Sequence, residues 1–295
     1  MRPGTLLDNR FRIVRKLGQG GEGEIFIARD EYVQRDVAVK AQLPRFGESS
    51  ATYAEFSGFL DSELNRLEFM HEVEGIPRVV ANGWYRGWGR QRFIVMELVD
   101  GMTITKWTAE NRPVHATEAA CVIAQLCDIL KKVHRHHVHR DVTPANTMIE
   151  PSGRVRLLDV GISVALGELP DEARGTPGYA PPEQYDRAAQ LTPKVDVFAL
   201  GAMLFAMTVS RLPYADVEGP ASSATPAFPD GLDVFLPDEL WTLGLAMVSV
   251  DPAERPTAEQ VRHYLEPWLP AVGSGRPSKA SDPDPSAYIR FPPSR

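Results

Sequence analysis

The chain carries a series of short signatures in a fixed order, and that order limits its fold more tightly than any bulk property. First comes a glycine-rich turn, Leu17-Gly18-Gln19-Gly20-Gly21-Glu22-Gly23-Glu24-Ile25. A lysine then closes an apolar run, Val37-Ala38-Val39-Lys40. Next is His139-Arg140-Asp141-Val142-Thr143-Pro144-Ala145-Asn146, followed by Asp159-Val160-Gly161. The last is Gly175-Thr176-Pro177-Gly178-Tyr179-Ala180-Pro181-Pro182-Glu183. Each is weak alone. In this order and spacing they leave little room for coincidence.

The chemistry of each signature can be read from its residues. Glycines at positions 18, 20 and 23 let the backbone approach phosphate oxygens and adopt positive φ. The same spacing opens dinucleotide-binding turns, but those run straight into a helix. Here Ile25-Phe26-Ile27 reads as a strand. A plain hairpin turn is the structural alternative. Lys40 supplies a single cation for phosphate oxygens. Asp141, Asn146 and Asp159 offer the hard oxygen donors that magnesium takes, alongside retained waters. His134, His136, His137 and His139 form a dense group, and helical His pairs can bind zinc. No carboxylate or cysteine set nearby completes such a site, so a zinc centre is not expected.

The periodicity sets a coarse map. Apolar positions at Phe11, Ile13 and Val14, then Ile25-Phe26-Ile27, then Val37-Ala38-Val39 predict strands across residues 11 to 40. Residues 44 to 52 read as a loop. Residues 54 to 71 have helical spacing, with Phe56, Leu60, Leu64, Leu67 and Met70 on one stripe. Phe93-Ile94-Val95-Met96 reads as a buried strand. Beyond Gly101 helical patterns dominate, with one helix over 116 to 134 and a very apolar one over 194 to 209. Residues 270 to 295 are rich in Pro, Ser and Gly, and this composition predicts a disordered tail. No internal repeat is visible.

Bulk properties remove several functional classes. The chain has 295 residues, 43% hydrophobic and 24% charged, enough for a substantial core. Its net charge of −7 argues against nucleic acid as the main partner. A run of about 18 apolar residues, the least a spanning helix needs, is absent. The start, Met1-Arg2-Pro3-Gly4, lacks the apolar stretch of a secretory signal. The expectation is a soluble chain or a fragment of a longer one. Cys121 and Cys127 fall on one predicted helix at a spacing that does not share a face. They read as buried apolar thiols in a reducing, cytoplasmic setting.

On these motifs the chain resembles the Ser/Thr protein kinase family in its bacterial, eukaryotic-like form. The resemblance covers roughly residues 8 to 268. It implies a two-lobed α+β fold: a kinase domain over 8–269, with a β-rich N-lobe about 8–99 and a helical C-lobe about 100–269. It also implies ATP with Mg2+ (or Mn2+) as cofactors, and protein substrates with Ser or Thr acceptors.

The roles that follow are carried over from the family. Gly18, Gly20 and Gly23 would cover the phosphates, and Lys40 would hold the α- and β-phosphates. Glu63 would orient Lys40, with Glu55 and Glu68 as alternatives. Met96 would be the gatekeeper beside adenine. The Glu97 carbonyl and the Val99 amide and carbonyl would bond to it. Leu17, Ile25, Ala38, Met148 and Leu158 would sandwich the base. Asp141 would accept the proton of the attacking hydroxyl, and Asn146 and Asp159 would hold the metal. Glu183 would pair with Arg255, and Asp196 would hold the catalytic-loop backbone.

Two features depart from the family pattern. Thr143 stands where Ser/Thr members usually carry lysine, so a charge on the transferring phosphate is missing. On this reading Thr143 joins the catalytic set through its hydroxyl, and Thr143→Lys is expected to raise turnover. This substitution also keeps two rivals in view: a nucleotide-binding pseudokinase acting as a scaffold, and a kinase for a non-protein substrate. The second departure concerns regulation. Between Asp159 and Glu183 the hydroxyl side chains are Ser163, Thr176 and Tyr179, none in the usual phosphosite position. Asp171 or Glu172 is expected to give Arg140 a fixed negative partner instead.

Overall fold

Alternating burial builds the first sheet. In the computed structural model of the chain, Phe11 and Ile13 are buried while Arg12 and Val14 face solvent, the period-2 pattern of a strand with one covered face. The structure describes residues 1–19, 23–43, 50–87, 89–170, 172–214, 226–228, 231–232 and 236–293, with backbone alone at 50–57, 87, 89 and 90. The chain divides into two compact units, Met1–Val99 and Asp100–Arg295.

The first unit holds six antiparallel strands: β1 (Leu6–Leu7), β2 (Phe11–Gln19), β3 (Gly23–Asp30), β4 (Arg35–Gln42), β5 (Val79–Gly87) and β6 (Gly89–Glu97). Their order across the sheet is β1-β2-β3-β4-β6-β5. One face buries Phe11, Ile13, Phe26, Val37, Val39, Phe93 and Val95 in a common cluster. Helix α1 (Ser50–Phe69) lies against β4, β5 and β6. Leu60, Leu64, Leu67 and Met70 of the expected stripe are buried. The Phe56 side chain and residues 44–49 lie outside the described residues, and 50–52 belong to α1 instead of the expected loop. Strand β5 was not expected, because its sequence, VVANGWYRG, breaks the apolar alternation with Asn82, Gly83 and Arg86.

The second unit is mainly helical: α2 (Ile104–Glu110), α3 (Ala116–Val133), α4 (Lys194–Thr208), α5 (Asp238–Met247), α6 (Ala258–Tyr264) and α7 (Pro285–Arg290). Helix α4 is buried on nearly every side, which its largely apolar composition requires. Among the described residues five short strands accompany the helices. β7 (Met102–Thr103), β9 (Thr147–Ile149) and β10 (Val155–Leu157) form one sheet, and β8 (His137–Val138) pairs with β11 (Val164–Ala165). The sequence pattern missed these strands, because two- and three-residue strands are too short to show a period.

The C-terminal segment corrects the expectation of a disordered 270–295 tail. Ser281, Asp284, Ser286 and Arg290 are buried, and α7 packs on α3. Composition misled because the segment is held by polar groups instead of large apolar ones. Trp107 Nε1 donates to the Pro283 carbonyl at 2.8 Å, and the Ser281 amide donates to Glu118 at 2.7 Å. Asp284 accepts from the Ser286 amide and hydroxyl and forms a 2.7 Å ion pair with Arg290. These buried polar atoms thus have partners, which removes the cost of desolvating them.

Candidate active site

In the first unit, β3 and β4 pair in register with Ile25 opposite Lys40 and Ile27 opposite Ala38. Lys40 therefore points to the face opposite that of Val39. Its ammonium lies 2.7 Å from Glu63 of α1, with both side chains nearly inaccessible. Of the alternative partners, Glu68 is exposed and the Glu55 side chain lies outside the described residues. Burying two charges is tolerable only when they meet in good geometry. A cation held so tightly is oriented before any ligand arrives.

The glycine-rich turn joins β2 and β3. Gly20 lies outside the described residues. Gly18 has open space around the position of a side chain, whereas a Cβ on Gly23 would run into the Ala41 carbonyl. Leu17 and Ile25 are exposed at 46% and 36%, and Ala38 and Met96 are only partly covered. Met96 pairs with Ala38 across β4 and β6. Large apolar groups left uncovered this way suit a flat apolar ligand. Glu97 donates its amide to the Arg78 carbonyl at 2.9 Å, and Val99 is buried at the end of the unit.

In the second unit, the loop from His139 to Asn146 is tied down from below. Asp196, at the start of α4, accepts from the His139 amide at 2.8 Å and the Arg140 amide at 2.7 Å. His134 Nε2 donates to the same carboxylate at 2.9 Å. Burial alone would raise the Asp196 carboxyl, but the bond from His134 and the nearby imidazoles hold it below the usual carboxylate range. Burial pushes the His139 imidazole down, which keeps it neutral, with Nδ1 accepting from the Asp141 amide. Two of the four clustered histidines therefore brace the loop. Among the described residues no group of three or more His, Cys, Asp or Glu could hold a metal ion.

The loop presents Asp141 with both carboxylate oxygens engaged. Thr176 Oγ donates to Oδ1 at 2.7 Å, and Asn146 Nδ2 donates to Oδ2 at 2.5 Å. With its amide nitrogen spent on Asp141, Asn146 keeps its amide oxygen as a donor atom for a cation. Strands β9 and β10 form a hairpin, with Asn146 just before it and Leu158 just after. The Leu158 amide donates to the Asn146 carbonyl at 2.7 Å, closing the open end. Met148 and Leu158 are partly covered. Asp159 follows in the left-handed region at φ 52°, with Oδ1 accepting from the Gly161 amide at 3.0 Å. Such a conformation is uncommon for a residue with a side chain and concentrates at working sites. Asn146 and Asp159 offer oxygen donors only, which fits magnesium and not a soft metal.

The structure adds detail to two expectations. Thr143 is 3% exposed, and its hydroxyl accepts from the Asn146 amide at 3.2 Å. That bond shapes the loop that carries Asn146. The Glu172 carboxylate is not the partner of Arg140 but pairs with Arg174 at 3.3 Å. Arg140 instead donates to the backbone carbonyls of Ile162 (3.0 Å), Glu172 (2.7 Å) and Arg174 (3.4 Å). Asp171 lies outside the described residues.

Glu183 and Arg255 form the bidentate pair that the family resemblance implies, at 2.6 and 3.1 Å. Sequence reasoning missed Gln184, whose amide donates to the carbonyls of Arg140 (2.8 Å) and Arg174 (2.9 Å). A lone glutamine in a Pro-Glu-Gln-Tyr stretch gives no signal that would mark it.

Known proteins are similar to this chain. A family model described as the protein kinase domain matches residues 11–269. The probable serine/threonine-protein kinase PknB of Lactococcus lactis is 29% identical over 219 residues, 72% of this chain and 33% of that protein. PrkC of Bacillus subtilis is 30% identical over 216 residues, 72% of this chain and 32% of its own. PknB of Mycobacterium tuberculosis is 31% identical over 226 residues, 74% and 35% respectively. The match spans about a third of the length of these relatives. A β-rich first unit, a helical second unit and a motif series matched almost from end to end make this chain a member of the protein kinase family.

Proposed function

We propose that the chain is an ATP-dependent protein kinase that transfers the γ-phosphate to Ser or Thr of protein substrates, its own chain included. The observation that carries the reading is Asp141, whose two carboxylate oxygens are fixed by Thr176 and Asn146. A carboxylate held this way can accept a hydroxyl proton without first reorganising. The relatives' printed names, serine/threonine-protein kinases, support the same class.

In this reading Gly18, Gly20 and Gly23 cover the phosphates, and Lys40, oriented by Glu63, holds the α- and β-phosphates. Leu17, Ile25, Ala38, Met96, Met148 and Leu158 enclose adenine, with Glu97 and Val99 providing backbone bonds. Asn146 and Asp159 hold the divalent cation, Mg2+ or alternatively Mn2+. When bound, that cation neutralises phosphate charge. The chain's own part is positioning: Asp141 orients the acceptor hydroxyl, and Thr143 keeps the loop in shape. Among the described residues no helix is long and apolar enough to cross a membrane. Two buried, unpaired cysteines suit a reducing cytoplasm.

The test is Asp141→Asn with transfer and nucleotide binding measured separately. Transfer should fall by about a thousandfold or more, while affinity for ATP stays within about threefold, because the base is lost and the phosphate contacts remain. Asp159→Asn should weaken metal-dependent nucleotide binding as well. Wild-type turnover no higher than the Asp141→Asn background would leave a nucleotide-binding scaffold in place of the enzyme.

A further inference from the structure

The C-terminal segment reaches further than a cap on α3. Gln125, on α3 and 4% exposed, stands at a three-way junction. Its Nε2 donates to the Gly153 carbonyl at 3.0 Å and to the Pro285 carbonyl at 3.1 Å, while its Oε1 accepts from the Val155 amide at 2.9 Å. Gly153 and Val155 belong to the turn and second strand of the β9–β10 hairpin. Pro285 begins α7. One side chain therefore joins the C-terminal segment to the hairpin whose opposite end carries Asn146 and Asp159.

A second contact acts at the same turn. Gly153 has φ +80°, and a Cβ there would run into the Asp284 carbonyl. The segment thus sits directly on the hairpin backbone, and the Arg154 guanidinium lies over the Tyr288 ring at 5.7 Å. The segment's own shape is set by a buried network. Arg290 reaches Asp284 (2.7 Å), the Ser286 hydroxyl (3.2 Å) and the Ser274 carbonyl (3.3 Å). Trp107 and Glu118 fix its other end through Pro283 and Ser281.

We propose that residues 281–290 form a positioning strap, and that Gln125 is a positioning residue through which the strap holds the β9–β10 hairpin and so the spacing of Asn146 and Asp159. Each strand of the hairpin has three residues, so a tilt at the turn is carried to the open end with little slack. The inference rests on the kinase reading only for what Asn146 and Asp159 hold. Groups that orient ligand side chains from outside the contact set commonly change metal affinity by about 10- to 100-fold.

The test uses the full chain with Arg290→Gln, which loosens the strap without touching the hairpin, and Gln125→Leu, which cuts the junction. Leu243→Ala on α5 is the control for general destabilisation. Amide hydrogen exchange is followed at Val155 and Leu158 and compared with α4. Both strap variants should speed exchange at the hairpin by about tenfold while α4 stays protected. The Mg2+ concentration for half-maximal binding of a fluorescent ATP analogue should rise by at least about threefold, with kcat at saturating Mg2+ changed less. Leu243→Ala should lower the melting temperature without either effect. Unchanged hairpin exchange in both variants overturns the proposal, as does a Mg2+ shift no larger than that of the control. A chain that shows the exchange pattern but neither binds nor uses ATP overturns the kinase reading and leaves the strap standing.

Discussion

Thr143 is a departure whose role turns on where its hydroxyl is bound. The sequence places a hydroxyl where a cation is usual, and addition of the charge looks like a gain. The structure gives the hydroxyl a backbone amide to serve and almost no exposure. A lysine there would forfeit the acceptor for the Asn146 amide and would have to bury or expel an ammonium, each costly. Thr143→Lys should therefore lower kcat by about tenfold or more and reduce the melting temperature, whereas Thr143→Ser should keep both near wild type. Steady-state kinetics and a thermal scan decide it. Raised turnover in Thr143→Lys would restore the missing-charge account. Lys40, Asp141, Asn146 and Asp159 were legible because each sits in a short motif. Arg140's backbone contacts and Gln184 were not, since both depend on a fold that brings distant carbonyls to one guanidinium or one amide.

At the scale of elements, periodicity located α3 and α4 nearly to the residue, because long amphipathic or fully apolar helices repeat their pattern several times. It failed where an element is short or is held by polar atoms, as in β5, β9, β10 and α7. The segment from Asp159 to Glu183 behaves as an element too, although it is mostly irregular. Arg140 grips it by three carbonyls, and Gln184 shares one of them, that of Arg174, with no phosphate involved. These carbonyls are always present and help to hold its conformation. Phosphatase-treated protein, checked by intact mass, should retain most of its initial rate without a lag. A lag abolished by preincubation with ATP would show that a phosphate must first supply what these carbonyls were taken to supply.

At the scale of the molecule, a few buried polar joints tie together stretches remote in sequence. Arg255, essentially unexposed, is the largest of them. It reaches Glu183, the Lys194 carbonyl (3.1 Å), the Ser249 carbonyl (2.6 Å) and the Val250 carbonyl (3.0 Å). Its ring-like plane also stacks 5.0 Å from Phe198. Arg255→Ala strands a carboxylate and several carbonyls at once and should cost about 3–5 kcal/mol in a denaturant titration. A loss below about 1 kcal/mol would mean that water takes over these contacts. The Glu183–Arg255 pairing was legible because a Pro-Glu motif and an Arg-Pro motif announced it. The fourfold use of the guanidinium was not, since carbonyl positions leave no trace in a sequence.

The two thiols on α3 turn the packing around that helix into something a reagent can time. Cys121 is pushed up to about 12 by burial and by the charges of Asp284 and Glu118, so it lies in reach of the C-terminal segment. Cys127 is raised as well, by burial and by Asp128, with Arg262 of α6 opposing. Only a thiolate is alkylated, so in the closed molecule both should be silent. Helices α6 and α7 both pack on α3, and each can open with its own equilibrium. Iodoacetamide should therefore keep two clocks in one protein. Arg290→Gln should quicken the Cys121 clock by about tenfold and leave that of Cys127 unmoved, as read by mass spectrometry of peptides after a quench. Equal acceleration at both would mean that α3 is uncovered all at once.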